Sequence, residues 1–530
     1  MAINIEKWEV EDESFWTTTG KKIATRNLWL SIPALLLAFS IWIMWGMIIV
    51  QMKKLGFTLG LPHETPEDWA RINELLWTLP AIAGLSGATM RIPNSFLIAI
   101  GGGRNTIFLT TALLLVPAIG AGIALQNPNT PFMVFAILAA TSGFGGGNFA
   151  SSMSNISFFF PKRVQGTSLG LNAGLGNLGV SVMQFLIPFA ILGGILTGIT
   201  GEGLPLAEQD GDKVVGTLVH IQNAGWVWVP MLVLAVIGAF FGMNNLKSST
   251  PALGNYTKEF TKIILMLLFG LLGAAAGAYM LIGFKWNMWI VLPITVIITL
   301  LLMKFLSPGE LTANLKRQFA IFNDKQNWVM TIIYTMTFGS FIGYSASFPK
   351  LIQDVFGYLP DGTVNPDAPN PMTWAFLGPM VGALIRPLGG WLSDKINSGS
   401  RVTTWSTIAQ VIAALGVAYF IVQARESASP ETYWWPFFTL FMILFITTGI
   451  GNGSTFRSIP YIFSKEQAGP VLGWTSAIAA YGAFIIPKVF GQQIAAKHAE
   501  YALYGFTVYY LICLVLNWYY YDRKNSGIQC

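Results

Sequence analysis

The sequence predicts an all-α polytopic membrane protein. Three observations carry that prediction. The 530 residues are 53% hydrophobic and only 11% charged, with a mean hydropathy of +0.56. Apolar runs long enough to cross a hydrocarbon core of about 30 Å recur along the chain. Two arginines, Arg91 in LSGATMRIPNS and Arg386 in GPMVGALIRPLGG, sit near the middle of two such runs, and no acidic residue lies in the interior of any run. The runs are read as helices because lipid cannot satisfy the edge of an open sheet.

Residues 1–26 are mixed in charge, with Glu9, Glu11, Asp12 and Glu13 ahead of Lys21, Lys22 and Arg26. They read as a cytoplasmic tail and lack the pattern of a cleavable signal. Six spans follow at 27–52, 75–100, 106–127, 132–160, 167–199 and 224–244, forming a first half over 27–244. A linker, 245–327, holds an extra pair at 263–284 and 288–303. The second half, 328–521, has spans at 328–351, 372–393, 402–423, 434–463, 469–492 and 501–521, before a second cytoplasmic tail at 522–530. With the N-terminus inside, the clusters Arg104, Lys162/Arg163, Lys247/Lys258, Lys304/Lys316/Arg317/Lys325, Lys395/Arg401, Lys465 and Arg523/Lys524 all face the cytoplasm. The acidic loops around Glu64, Glu67 and Asp68, around Glu202, Glu208, Asp210 and Asp212, and around Asp361 and Asp367 face outward, as the positive-inside rule requires.

The same pass excludes other classes. The formal charge of +6 is spread over short clusters between runs, so no basic patch for nucleic acid forms. Cys513 and Cys530 make no disulfide framework, and His63, His220 and His498 are too scattered for a metal site. The glycine runs GGGR (101–104) and GIGNG (449–453) lack the Lys-Ser/Thr of a phosphate-binding loop. No Ser/His/Asp or Cys/His set lies at one depth. The chain is therefore not read as an enzyme and is expected to need no cofactor or metal.

An internal repeat organises the spans. GATMRIPNS matches GALIRPLGG, and GGGNFASSMSNISFFFPKRVQGTSLG (145–170) has a counterpart in GNGSTFRSIPYIFSKEQAGPVLG (451–473). Arg91 and Arg386 are then equivalent positions in two halves. Repeats in the same order and direction imply an axis along the membrane normal, the arrangement of major facilitator folds. An even number of inserted spans preserves that orientation, which gives twelve core helices plus two.

A guanidinium in a bilayer costs between about 3 and 17 kcal/mol depending on the measurement, so each arginine needs a partner. With no carboxylate at that depth, the expected partner is an anion from outside, gripped by a fork of N–H donors. Against this stands the reading of a snorkelling or acid-paired arginine, weakened here because Glu74, Asp394 and Glu466 lie at span ends. In GTSLGLNAGLGNLGVSVMQ (166–184), Gly170, Gly174, Gly176 and Gly179 suit close helix approach, and plain packing accounts for most of them. Asn177 offers an amide donor that the second half lacks, where Ala480 is its counterpart. Phe149, Tyr334 and Phe338 supply ring edges and a phenol for a flat anion, although ordinary packing or lipid contact explains such rings equally well.

Taken together, GATMRIP, GGGNFASSMSNISFFFPKRVQG, GLNAGLGNLGVSVMQ, IIYTMTFGSFIGYSASF, GALIRPLGGWLSD and GWTSAIAAYGAFIIPKVFG resemble the NarK-type nitrate/nitrite porters of the major facilitator superfamily. The resemblance runs over nearly the whole chain. It implies transport of nitrate and nitrite across a bacterial cytoplasmic membrane, with Arg91, Arg386, Asn177, Tyr334, Phe149 and Phe338 as substrate residues; the protein is expected to be a monomer. The pair at 263–303 departs from the twelve-helix members.

The missing intramembrane carboxylate or histidine favours nitrate/nitrite exchange by alternating access over proton symport. Proton-coupled nitrate uptake remains the nearest alternative, and a nitrate-binding membrane receptor a more distant one.

Overall fold

The computed structural model describes all residues except 1–3, 194–199, 208–213, 251–253, 362, 364 and 529. Glu208, Asp210, Asp212 and the end of the fifth apolar run lie outside the described residues. The protein is an all-α polytopic membrane protein. Among the described residues, twelve helices are long and apolar enough to cross a membrane. Beside them stand the two arginine-bearing elements: Pro66–Asn94, and a broken helix made of Pro371–Trp374, Leu377–Leu384 and Arg386–Lys395. Short strand pairs join Asn4–Ile5 to Asn245–Leu246 and Leu204–Pro205 to Leu218–Val219.

Several helices begin before their apolar run, for local reasons. Asp12 caps a helical stretch by accepting from the Phe15 amide at 2.7 Å, so helix starts at Glu13 within the first 26 residues. The Arg91 helix starts at Pro66 because Thr65 and Asp68 form a reciprocal capping box. The Thr65 hydroxyl accepts from the Asp68 amide at 3.2 Å, and the Asp68 carboxylate accepts from the Thr65 amide at 3.1 Å. Pro66, with no N–H to satisfy, suits the first helical position.

The chain divides into two compact units. The first comprises Met1–Trp8, Thr25–Ser152 and Val182–Arg317. Within it the inserted pair, Tyr256–Ile282 and Met288–Leu306, packs on the Arg91 helix through small residues. A Cβ on Gly270 would stand 2.7 Å from Met90 Sδ and one on Gly277 3.3 Å from Leu85 Cδ2, while between the two helices of the pair the Gly277 Cβ would be 2.4 Å from Thr295 Oγ1. The linker is tied to the pair by ion pairs from Glu310 to Lys258 (3.0 Å) and Lys262 (3.5 Å). Lys258 is the main cause of a Glu310 carboxyl held below its ordinary range.

The second unit comprises Glu9–Ala24, Met153–Ser181 and Gln318–Cys530. Here the glycine-rich stretch lies against the Arg386 helix. A Cβ on Gly174 would be 2.6 Å from the Ala383 carbonyl and on Gly170 3.1 Å from that of Arg386. Gly390 returns the contact: its Cβ would be 2.1 Å from the Gly166 carbonyl. Small residues let backbones approach this closely in lipid, where no hydrophobic force draws helices together. Gly176 and Gly179 are buried on the same helix.

Candidate functional site

Arg91 is fully buried in the first unit. The helix Phe132–Phe159 reaches it through glycines. A Cβ on Gly145 would lie 2.1 Å from the Ala38 carbonyl, and one on Gly146 2.5 Å from Gly87 Cα. This approach delivers the Gly146 carbonyl to Arg91 Nε, which donates to it at 2.7 Å. Three rings surround the guanidinium carbon: Phe149 at 4.7 Å, Trp42 at 5.2 Å and Phe39 at 5.7 Å to the centroids. Phe39 meets Phe149 edge-on at 5.8 Å, and Trp42 is anchored by donating its indole N–H to the Ala83 carbonyl at 2.7 Å.

Arg386 is fully buried in the second unit. Its guanidinium carbon lies 4.0 Å from the Phe341 centroid and 5.4 Å from that of Phe338. Nε, Nη1 and Nη2 have no hydrogen-bond partner among the described residues. The rings come from a helix interrupted by a π-helical turn at Thr335–Gly339, an irregularity frequent at functional sites. Tyr334, one turn before Phe338, has its ring 5.9 Å from those of Phe338 and Phe456.

The two units thus present the same device. Phe39 and Trp42, and Phe338 and Phe341, stand three residues apart on a helix, so both rings of each pair share a face. Each pair covers one arginine. Of the residues singled out from sequence, Phe149 lies over Arg91, and Phe338 over Arg386 with Tyr334 beside it. Asn177 is fully buried in the second unit and directs one amide hydrogen to its own helix at Ala173 O, 2.7 Å away. Phe39, Trp42 and Phe341 escaped the sequence reading. The signal was available in the matching FSIW (39–42) and FGSF (338–341) segments once the repeat was aligned.

Two further arginines are buried and otherwise employed. Arg104 Nε donates to the Phe240 carbonyl at 2.6 Å, with the Phe240 ring 4.3 Å from its guanidinium. Arg457 pairs with Asp394 at 3.3 Å, bonds Asn397 and stacks on Tyr461 at 3.4 Å. Asp394 also accepts from the Thr167 amide and hydroxyl at 2.9 and 2.7 Å. These interactions lock helix ends together, whereas Arg386 faces rings and has donors to give.

Phe341→Leu is expected to lower the thermal midpoint of the purified protein. A desolvated cation–π contact contributes about 0.5–2 kcal/mol. A midpoint at or above that of the parent protein would show that the ring does not stabilise the charge.

The sequence pattern described as Major Facilitator Superfamily matches residues 6–183 and 263–487. The chain is 35% identical over 547 aligned residues to "Nitrate/nitrite transporter NarU" of Salmonella typhimurium, covering 99% of this chain and 97% of that one. It is 35% identical over 529 residues to "Probable nitrate/nitrite antiporter NarK2" of Thermus thermophilus, covering 99% and 98%. In fold it is similar to the proton:xylose symporter XylE bound to 6-bromo-6-deoxy-D-glucose, with a TM-score of 0.61 at 12% identity over 96% of this chain and 98% of that one.

Proposed function

From the premise that the chain belongs to the major facilitator superfamily, we propose that it moves nitrate and nitrite across a bacterial cytoplasmic membrane by exchanging one for the other. The observation that carries this reading is the Arg386 guanidinium, fully buried, backed by rings and with three nitrogens lacking a hydrogen-bond partner among the described residues. A buried charge in that condition is costly unless an anion completes it. Arg91, held by Gly146 and ringed by Phe39, Trp42 and Phe149, is the second anion contact. Phe149 shapes the surroundings of Arg91 in the first unit; in the second, Tyr334 and Phe338 shape those of Arg386, and the second amide hydrogen of Asn177 is a further donor. The names of the relatives at 35% identity point to the same anions.

Flat ring faces and guanidinium forks favour a small planar oxyanion, whereas tetrahedral sulfate or phosphate leaves donors unmatched. The protein works as a monomer with both termini in the cytoplasm. In alternating access, a protein with two buried arginines reorients easily only when an anion offsets part of their charge, and this makes exchange obligatory. Four acids near the span ends are ion-paired: Glu259 with Lys262, Asp354 with Lys350, Asp394 with Arg457 and Glu500 with Arg425.

Counterflow tests the reading. Proteoliposomes loaded with nitrite are expected to take up labelled nitrate, while empty vesicles under an inward proton gradient take up little. Strong uptake into empty vesicles would replace exchange with proton coupling, and no uptake under either condition would remove nitrate as substrate.

A further inference from the structure

We propose that Asn452 is an additional anion-binding residue, acting with Arg386; the proposal rests on the nitrate/nitrite reading above and extends its ligand set. Asn452 is fully buried in the helix Trp434–Ile462. Neither its Oδ1 nor its Nδ2 has a hydrogen-bond partner among the described residues. An amide buried without partners is unfavourable, and native structures keep such groups mainly where something outside the chain satisfies them.

The face of the helix identifies what that something meets. Asn452 lies one turn before Phe456 and two turns after Phe445, so the three share a face. Phe456 touches the ring of Tyr334, with centroids 5.9 Å apart. Phe445 meets Phe341 edge-on at 6.2 Å, and Phe341 is the ring 4.0 Å from the Arg386 guanidinium. The flanking glycines bring this helix close on both sides: a Cβ on Gly451 would be 2.9 Å from Thr337 Cγ2, and one on Gly453 2.3 Å from the Arg386 carbonyl. Asn452 therefore belongs to the ring-lined surroundings of Arg386. Since both amide atoms and all three guanidinium nitrogens lack partners among the described residues, the two side chains do not satisfy each other. An oxyanion accepts from the guanidinium nitrogens of Arg386 and from Asn452 Nδ2.

The repeat supports the assignment. Gly145 approaches Ala38, one residue before Phe39, and Gly451 approaches Thr337, one residue before Phe338. In that register Asn452 matches Gly146, whose carbonyl accepts from Arg91 Nε. The first unit satisfies its arginine with backbone at this position; the second places an amide there.

The test is nitrate and nitrite binding to the purified full-length protein by calorimetry, with Asn452→Leu, Asn452→Asp and Arg386→Lys. Asn452→Leu is expected to weaken nitrate affinity roughly ten- to a hundredfold, the range for a hydrogen bond to a charged group. Its ligand-free thermal midpoint should be equal to or above that of the parent, because the unpaired amide is gone. Asn452→Asp, nearly isosteric, should abolish binding by presenting a carboxylate to Arg386. Parent-like affinity in both Asn452 variants, with binding lost in Arg386→Lys, would overturn the role of Asn452 and leave the functional reading standing. Absence of nitrate and nitrite binding by the parent protein would overturn both.

Discussion

Arg386→Lys is expected to cut nitrate uptake at least a hundredfold although the positive charge is retained. Lysine replaces a planar fork with a point charge whose donors cannot grip two oxygens of one anion in parallel. It also gives up the face-on contact with Phe341, 4.0 Å from the guanidinium carbon. Each hydrogen bond to a charged group contributes about 1.5–3 kcal/mol, so losing one of a bidentate pair together with the ring contact amounts to roughly two or more decades. Arg91→Lys is expected to fall as far for a related reason. The Nε donor that fixes Arg91 to the Gly146 carbonyl has no lysine equivalent, so the remaining charge is no longer held among Phe39, Trp42 and Phe149. The measurement is initial-rate counterflow in proteoliposomes, normalised to reconstituted protein. Parent-like rates in either lysine variant would refute bidentate recognition by that arginine.

The second large effect is on folding. Gly145→Ala puts a methyl where only 2.1 Å separates it from the Ala38 carbonyl, and Gly390→Ala does the same against the Gly166 carbonyl. In both cases the obstacle is backbone of another helix, which cannot rotate away as a side chain would. Overpacking typically costs about 1–3 kcal/mol and more where the backbone must move. Both variants are expected to lose most of their folded yield, or to melt several degrees lower, in size-exclusion and thermal-unfolding measurements in detergent. Gly84→Ala is the control on the Arg91 helix. Nothing lies within 4 Å of its added Cβ, and an interior helical glycine replaced by alanine stabilises by about 0.5–1 kcal/mol. If Gly145→Ala and Gly84→Ala behaved alike, close helix approach would not be what holds the Arg91 site together.

These contrasts separate local from non-local information. Hydropathy over a window is a property of contiguous residues, and it sufficed to recognise a polytopic helical protein with twelve core spans and an inserted pair. Helix starts were less legible. The Asp12 cap and the Thr65–Asp68 box begin helices at Glu13 and Pro66, ahead of the apolar runs, because caps act through hydrogen bonds that hydropathy does not register.

At the site, Arg91 and Arg386 stood out by themselves, since a charge inside an apolar run is an anomaly in one dimension. The repeat made them equivalent, and the glycines announced close packing without saying against what. Their ring partners were a matter for the tertiary structure. With aromatics at 14% of the chain, about every second turn of helix offers a ring, and which one meets a guanidinium depends on helix rotation and separation. Those are set by contacts such as Gly145 with Ala38 and Gly174 with Ala383, between residues far apart in sequence. That geometry selected Trp42 and Phe341 beside the expected Phe149 and Phe338, and paired Arg457 with Asp394. The sequence by itself determined the membrane class, the duplication and the two exceptional charges, because each is written in composition and order. Only the folded chain decided which rings, carbonyls and amides surround those charges, because that depends on how helices cross.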